Sequence, residues 1–248
     1  MQNYKIILEY DGTNYHGWQV QPNGRTIQGE LTRVLSLLEG REVTVHGAGR
    51  TDAGVHAVGQ VANFFLERQF QAEKLRDAIN GNLERDIRVL KVELVSDEFH
   101  SRFSAKEKTY RYVIWTGAVM SAFEYRYAYH HRDRLNVEAM REATSCLIGQ
   151  HDFSAFTVAA SEVESHVREL RRLDIEVESE APGERLLIYA TAEGFLRYMV
   201  RNLVGTLIDI GRGNRAASDM PEILASRDRA RAGQTAKPHG LTLLKVGY

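Results

Sequence analysis

Apolar positions change period along the chain, and the changes divide it into elements. Residues 4–9 alternate as a strand, and Asp11-Gly12 follows as a turn. Ile27, Leu31, Val34, Leu35 and Leu38 recur at helical spacing, with Thr26 as N-cap and Gly40 as stop. Strands are predicted at 43–46 and 58–65 and a helix at 72–79, and alternation at Leu90, Val92 and Leu94 predicts a closing strand. The order then repeats. A strand at 109–115 precedes a helix at 137–148 that runs from Asn136 as cap to Gly149 as stop. Strands follow through Leu173, Ile175 and Val177 and at 186–192. A strongly apolar helix at 196–210, a short helix at 220–225 and a strand at 241–246 complete the chain.

Strand-helix-strand-strand-helix-strand is the order of a ferredoxin-like split βαβ unit. The expected fold is α+β: two βαββαβ halves, residues 1–104 and 105–248, forming a mainly antiparallel sheet with helices on one side. No Pro/Gly-rich linker separates the halves near 95–108. They are expected to pack together with an active-site cleft between them. The repeat lies in element order and not in residue identity.

Composition adds little to this. With 248 residues, 43% hydrophobic and 26% charged, the chain is an ordinary globular one. No apolar run reaches the ~18 residues of a membrane span, and the first ten residues read as a strand start, not a signal peptide. The one cysteine, Cys146, excludes an intrachain disulfide and fits a cytoplasmic location. A net charge of -1 does not announce a nucleic-acid binder. The charge is uneven, however: Arg102, Lys106, Lys108 and Arg111 cluster, as do Arg197, Arg201, Arg212 and Arg215. A basic groove can meet phosphates on a neutral protein, although a solvated face is the commoner meaning of any one such cluster.

Chemistry concentrates in Gly47-Ala48-Gly49-Arg50-Thr51-Asp52-Ala53-Gly54. Three glycines in eight residues imply unusual dihedrals or close backbone approach. Arg50 would favour an ionised Asp52, and an ionised carboxylate can act as a nucleophile. A plain Gly-rich turn explains the pattern about equally well. No Gly-Lys-Ser/Thr follows, so it is not a P-loop, and the spacing does not fit a dinucleotide fingerprint.

The stretch from Gly47 to Phe64 (GAGRTDAGVHAVGQVANF) closely resembles the signature of the tRNA pseudouridine synthase A family. Tyr10-Asp11-Gly12-Thr13, Tyr15, Gly17-Trp18-Gln19 and Thr26-Ile27-Gln28 resemble that family's opening. Phe99-His100-Ser101-Arg102-Phe103-Ser104-Ala105 with Tyr110-Arg111-Tyr112 resembles its central motif. Asp152-Phe153, Gly194-Phe195-Leu196, Met199-Val200-Arg201 and His239-Gly240-Leu241 resemble the later ones. The match runs in order through nearly the whole chain.

The resemblance implies an isomerase that converts uridine in the anticodon stem-loop of tRNA to pseudouridine. It implies no metal and no organic cofactor, tRNA as partner, no membrane, and a cytoplasmic homodimer. Asp52 matches the family's nucleophile. Tyr110 matches the aromatic that stacks on the flipped uracil; without the family match it would read as a core residue of a strand. Arg201 matches the basic residue of the Met-Val-Arg motif. A buried arginine needs a carboxylate partner, for which Asp52 is the candidate. Otherwise Arg201 would snorkel past an apolar face. Arg50 is expected to serve the RNA backbone or hold the place of the flipped base. Arg102, Lys106 and Lys108 are candidate phosphate contacts, and Leu243 or Leu244 a candidate wall of the uracil pocket. Ser101, Arg197-Tyr198 and Lys237 depart from the family pattern. Two rivals stand beside this reading. A glycoside-type hydrolase would need a second carboxylate, which the other motifs do not offer, and an inactive RNA-binding protein would not need Asp52, Tyr110 and Arg201 together.

Overall fold

The computed structural model describes residues 1–158, 164–180 and 183–248. The fold is α+β, with mainly antiparallel strands and five α-helices among the described residues. It divides into two compact units: Met1–Lys106 with Thr242–Tyr248, and Glu107–Leu241.

The first unit begins β1 (Gln2–Tyr10), α1 (Ile27–Glu39), β2 (His46–Gly47), β3 (His56–Leu66), α2 (Ala72–Asn82) and β4 (Ile87–Val95). β1 lies between β3 and β4 and is antiparallel to both; β2 joins the other edge of β3. The order β4-β1-β3-β2 is that of a split βαβ unit. α1 starts and stops where the sequence predicts. Thr26 Oγ1 accepts the Gly29 N–H, and Gly40 adopts a left-handed φ of 82° with its N–H on the Ser36 carbonyl.

Two expectations need correction here. The strand predicted at 43–46 shrinks to His46–Gly47. The Val43 N–H goes to Ser36 Oγ and the Val45 carbonyl to Gln28 Nε2, so side chains of α1 satisfy that backbone in place of a ladder. In β4 the expected apolar face is partly wrong. The pairing with β1 shifts between Ile7 and Leu8, leaving Leu90 as the extra residue. Leu90 is therefore 45% exposed, while Ile87, Val89 and Val92 are buried; Leu94 shares the face of Val92 but is 59% exposed near the end of the strand.

The second unit comprises β5 (Glu107–Thr116), β6 (Tyr129–His131), α3 (Val137–Thr144), β7 (Gly149–Asp152), β8 (Val167–Glu180), β9 (Gly183–Ala192), α4 (Met199–Gly211) and α5 (Asp219–Ser226). β9 runs antiparallel between β5 and β8, and β7 is antiparallel on β8. The short strand β6, which periodicity does not reveal, is parallel to β5. α3 ends at Thr144, four residues before the predicted helix end at 148. Thr144, Ser145 and Cys146 each turn their side chains back onto carbonyls three residues earlier, and the chain tightens into a 3₁₀ turn at Ser145–Leu147. α4 begins at Met199 and not at 196, because Tyr198 holds a left-handed φ of 63°. The last strand, β10 (Leu241–Gly247), returns to β3, parallel to it at Thr242–His56 and Leu243–Ala57.

Candidate active site

The Gly47–Gly54 segment forms the connection between β2 and β3 in the first unit. Residues from the β1–α1 connection press against it from close range. A Cβ on Gly47 would sit 2.4 Å from the Trp18 ring, so only glycine lets that buried indole lie against the backbone. A Cβ on Gly17, at φ 90°, would lie 2.6 Å from the Thr51 carbonyl and 3.1 Å from the Asp52 carbonyl carbon.

Hydrogen bonds fix the same contacts. The Trp18 N–H donates to the Thr51 carbonyl at 3.0 Å and the Gly54 N–H to the Tyr15 carbonyl at 3.3 Å. The Val55 N–H closes a turn onto the Asp52 carbonyl at 3.1 Å, with Gly54 left-handed at φ 76°. Gln60 Nε2 donates to the Gly49 carbonyl at 3.0 Å, and the Tyr10 hydroxyl pairs with Thr51 Oγ1 at 2.8 Å. Burial pushes the Tyr10 phenol up to about 12, so it stays protonated and hydrogen-bonding at neutral pH. Asp52 is thus half-buried on a loop whose backbone is restrained on both sides of it. Such restraint fixes where the Asp52 side chain starts from.

His56, at the start of β3, is buried and accepts the Gly12 N–H on Nδ1 at 3.0 Å. The same Nδ1 lies 3.2 Å from Asp11 Oδ1, so the start of β3 is tied to the turn after β1. Arg50 is exposed. Arg102 is exposed on the turn after β4, its guanidinium 5.6 Å from the centre of the Phe103 ring. Leu243 is fully buried in β10, opposite Ala57.

Tyr110 and Arg201 belong to the second unit. Tyr110 is 7% exposed in β5, opposite Ala190, and the Phe195 ring meets it edge-on at 5.2 Å and 90°. Arg201 stands in the first turn of α4. Its Nε donates to the Ala236 carbonyl at 2.8 Å, and its guanidinium lies 5.1 Å from the Tyr198 ring centre. The neighbouring Asn202 is fully buried: Nδ2 donates to the Phe156 carbonyl at 2.8 Å, and Oδ1 accepts from Thr235 and Arg229. Asp52, Arg50, Arg102 and Leu243 therefore fall in one unit, and Tyr110 and Arg201 in the other.

The sequence motifs hold Tyr10, Tyr15, Gly17 and Trp18 but do not say that these residues clamp the Asp52 loop. Gln60 lies within the signature itself, and only its buried side chain reveals its bond to Gly49. Gly17 and Gly47 give no periodic signal, since their partners, Thr51 and Trp18, lie about thirty residues away along the chain.

Residues 6–104 and 143–248 match the family described as "tRNA pseudouridine synthase". The chain belongs to that family. It is 44% identical to the tRNA pseudouridine synthase A of Thermoanaerobacter sp. (strain X514) over 248 residues, covering all of both chains. It is 42% identical to those of Ruminiclostridium cellulolyticum and Brevibacillus brevis, again over 248 residues and the full length of both partners. The enzyme is thus an isomerase acting on uridine in tRNA, and the clamped Gly47–Gly54 loop falls inside the first matched segment. No helix among the described residues is long and apolar enough to cross a membrane.

Proposed function

We propose that the enzyme isomerises uridines of the tRNA anticodon stem-loop, with Asp52 as nucleophile and the target base flipped out of the RNA stack. The observation that carries this is the restraint on the Asp52 loop: hydrogen bonds to the Thr51 and Gly49 carbonyls and close glycine contacts at Gly17 and Gly47 converge on five residues. A turn serving only as a connection has no need of such restraint. Asp52 in its carboxylate form attacks either the ribose C1′ or the uracil C6. The bond between N1 and C1′ breaks, the base turns, and a bond forms between C5 and C1′. The C5 proton leaves to solvent, N1 gains a proton and the carboxylate is regenerated, so substrate and product are isomers.

In this proposal Tyr110 stacks on the flipped uracil, which is worth roughly 1–3 kcal/mol. Arg201 favours the ionised form of Asp52 and orients it. Arg50 and Arg102 contact the RNA backbone, Leu243 packs behind the uracil pocket, and a cytoplasmic homodimer grips the tRNA. The test is an unmodified tRNA transcript carrying tritium at uracil C5. Isomerisation releases tritium to water and yields pseudouridine on nucleoside analysis. Free uracil would assign hydrolysis, and a run with neither tritium release nor product would overturn the proposal.

A further inference from the structure

We propose that the turn at residues 99–104 is a second RNA contact of the first unit, stacking an unpaired nucleobase on Phe103 and taking its phosphate on Arg102. The proposal rests on the enzyme acting on tRNA. Phe103 is 76% exposed, although a phenylalanine of that size is normally buried. It does not stand alone. Its ring centre is 4.4 Å from that of His100, which is 4.8 Å from that of His46, so three rings adjoin in a row. The Arg102 guanidinium lies over Phe103 at 5.6 Å. Exposed rings beside a guanidinium suit the face of a base and the charge of its phosphate.

The row is presented on a stiff base. Ser101 is fully buried, its N–H on Asn63 Oδ1 at 2.9 Å and its Oγ on the His46 carbonyl at 2.6 Å. The Tyr248 hydroxyl donates to the Ser101 carbonyl at 2.8 Å. The Ser101 hydroxyl therefore ties the turn to the strand carrying His46. Within the turn, the Ser104 N–H donates to the His100 carbonyl and the Arg102 N–H to His100 Nδ1. That bond keeps Nδ1 unprotonated, and burial together with the neighbouring His46 lowers the His100 pKa. His100 is thus a neutral ring at pH 7 and supports Phe103 as an aromatic surface. A turn held this firmly loses little backbone freedom when a base covers its ring. Beyond His46 the surface opens into a groove of about 330 Å³ lined by Arg41, Glu42, Thr44 and Phe65 among others, with room for an adjoining nucleotide. Asp97 and Glu98 precede the turn, so the ring, and not net charge, carries the affinity.

The test uses the full-length enzyme, unmodified tRNA transcript and three variants. Phe103→Ala should raise the KM for tRNA roughly 5- to 150-fold while kcat for tritium release stays within about threefold. Phe103→Trp should keep KM within about threefold of wild type, and its added fluorescence should be quenched by tRNA. Arg102→Gln should weaken binding less and lower the salt dependence by about one phosphate contact. Wild-type KM for Phe103→Ala, or unquenched fluorescence of Phe103→Trp, would overturn the proposal. So would a Phe103→Ala variant that sediments as a smaller species than wild type, which would assign the patch to a second copy of the chain. Failure of the enzyme reading is separate, since wild type itself would then release no tritium.

Discussion

Replacing Gly17 with alanine tests whether the clamp on the Asp52 loop matters to catalysis. The new Cβ would start 2.6 Å from the Thr51 carbonyl oxygen, and ordinary contact begins at 3.4 Å, so loop and β1–α1 connection must separate by about 0.8 Å. The Asp52 carbonyl carbon and the Ala53 nitrogen, both at 3.1 Å, are pushed the same way. A φ of 90° adds about 1–2 kcal/mol for any residue with a Cβ, and overpacking typically a further 1–3 kcal/mol. The stability loss should be about 2–5 kcal/mol. A misplacement near 1 Å can cost on the order of 10²-fold in rate, so kcat/KM for tritium release should fall by about that factor per folded molecule. Thermal unfolding and single-turnover tritium release would be measured on the same preparation, at a temperature where the variant is folded. Gly81→Ala in α2 is the control: its Cβ would meet nothing within 4 Å. That variant should gain roughly 0.5–1 kcal/mol and keep wild-type activity. A Gly17→Ala enzyme that is destabilised yet turns over at the wild-type rate would refute the link between clamp and chemistry.

Three further outcomes are expected. Asn202→Ala should cost about 2–4 kcal/mol in denaturant unfolding, because it strands the buried Phe156 carbonyl and the partners of its Oδ1; a loss below about 1 kcal/mol would show that these groups find other partners. Tyr10 is protonated up to about pH 12 in the fold but only to about 10 when unfolded. Its folded-state pKa is raised, so its contribution is intact below pH 10 and is lost as pH rises through 12. Between those values wild type should lose roughly 2–3 kcal/mol more stability than Tyr10→Phe, and parallel pH profiles of the two would contradict this. For Tyr110→Phe the ring proposed to stack on the uracil survives, so tRNA affinity should change by less than about threefold; a large loss would move the role from the ring to the hydroxyl.

What the sequence made legible follows from which interactions are local. The caps of α1 and the apolar faces of α1 and α4 depend on neighbours three or four residues apart, and they were readable. Leu90 escapes the alternation because one bulge opposite Ile7 and Leu8 leaves it outside the ladder, and a bulge leaves no periodic mark. The early end of α3 lies in three side chains that bond backward, each unremarkable alone. At the candidate site Asp52 was visible through its glycines. Its restraint by Trp18, Gly17 and Gln60 was not, because close approach between segments thirty residues apart has no signature in spacing.

The role of Asp52 is tested most directly by Asp52→Asn, a change that preserves shape and removes the carboxylate. With C5-tritiated tRNA the variant should release no tritium above background while binding tRNA within about threefold of wild type. Tritium release near the wild-type rate would contradict Asp52 as the nucleophile.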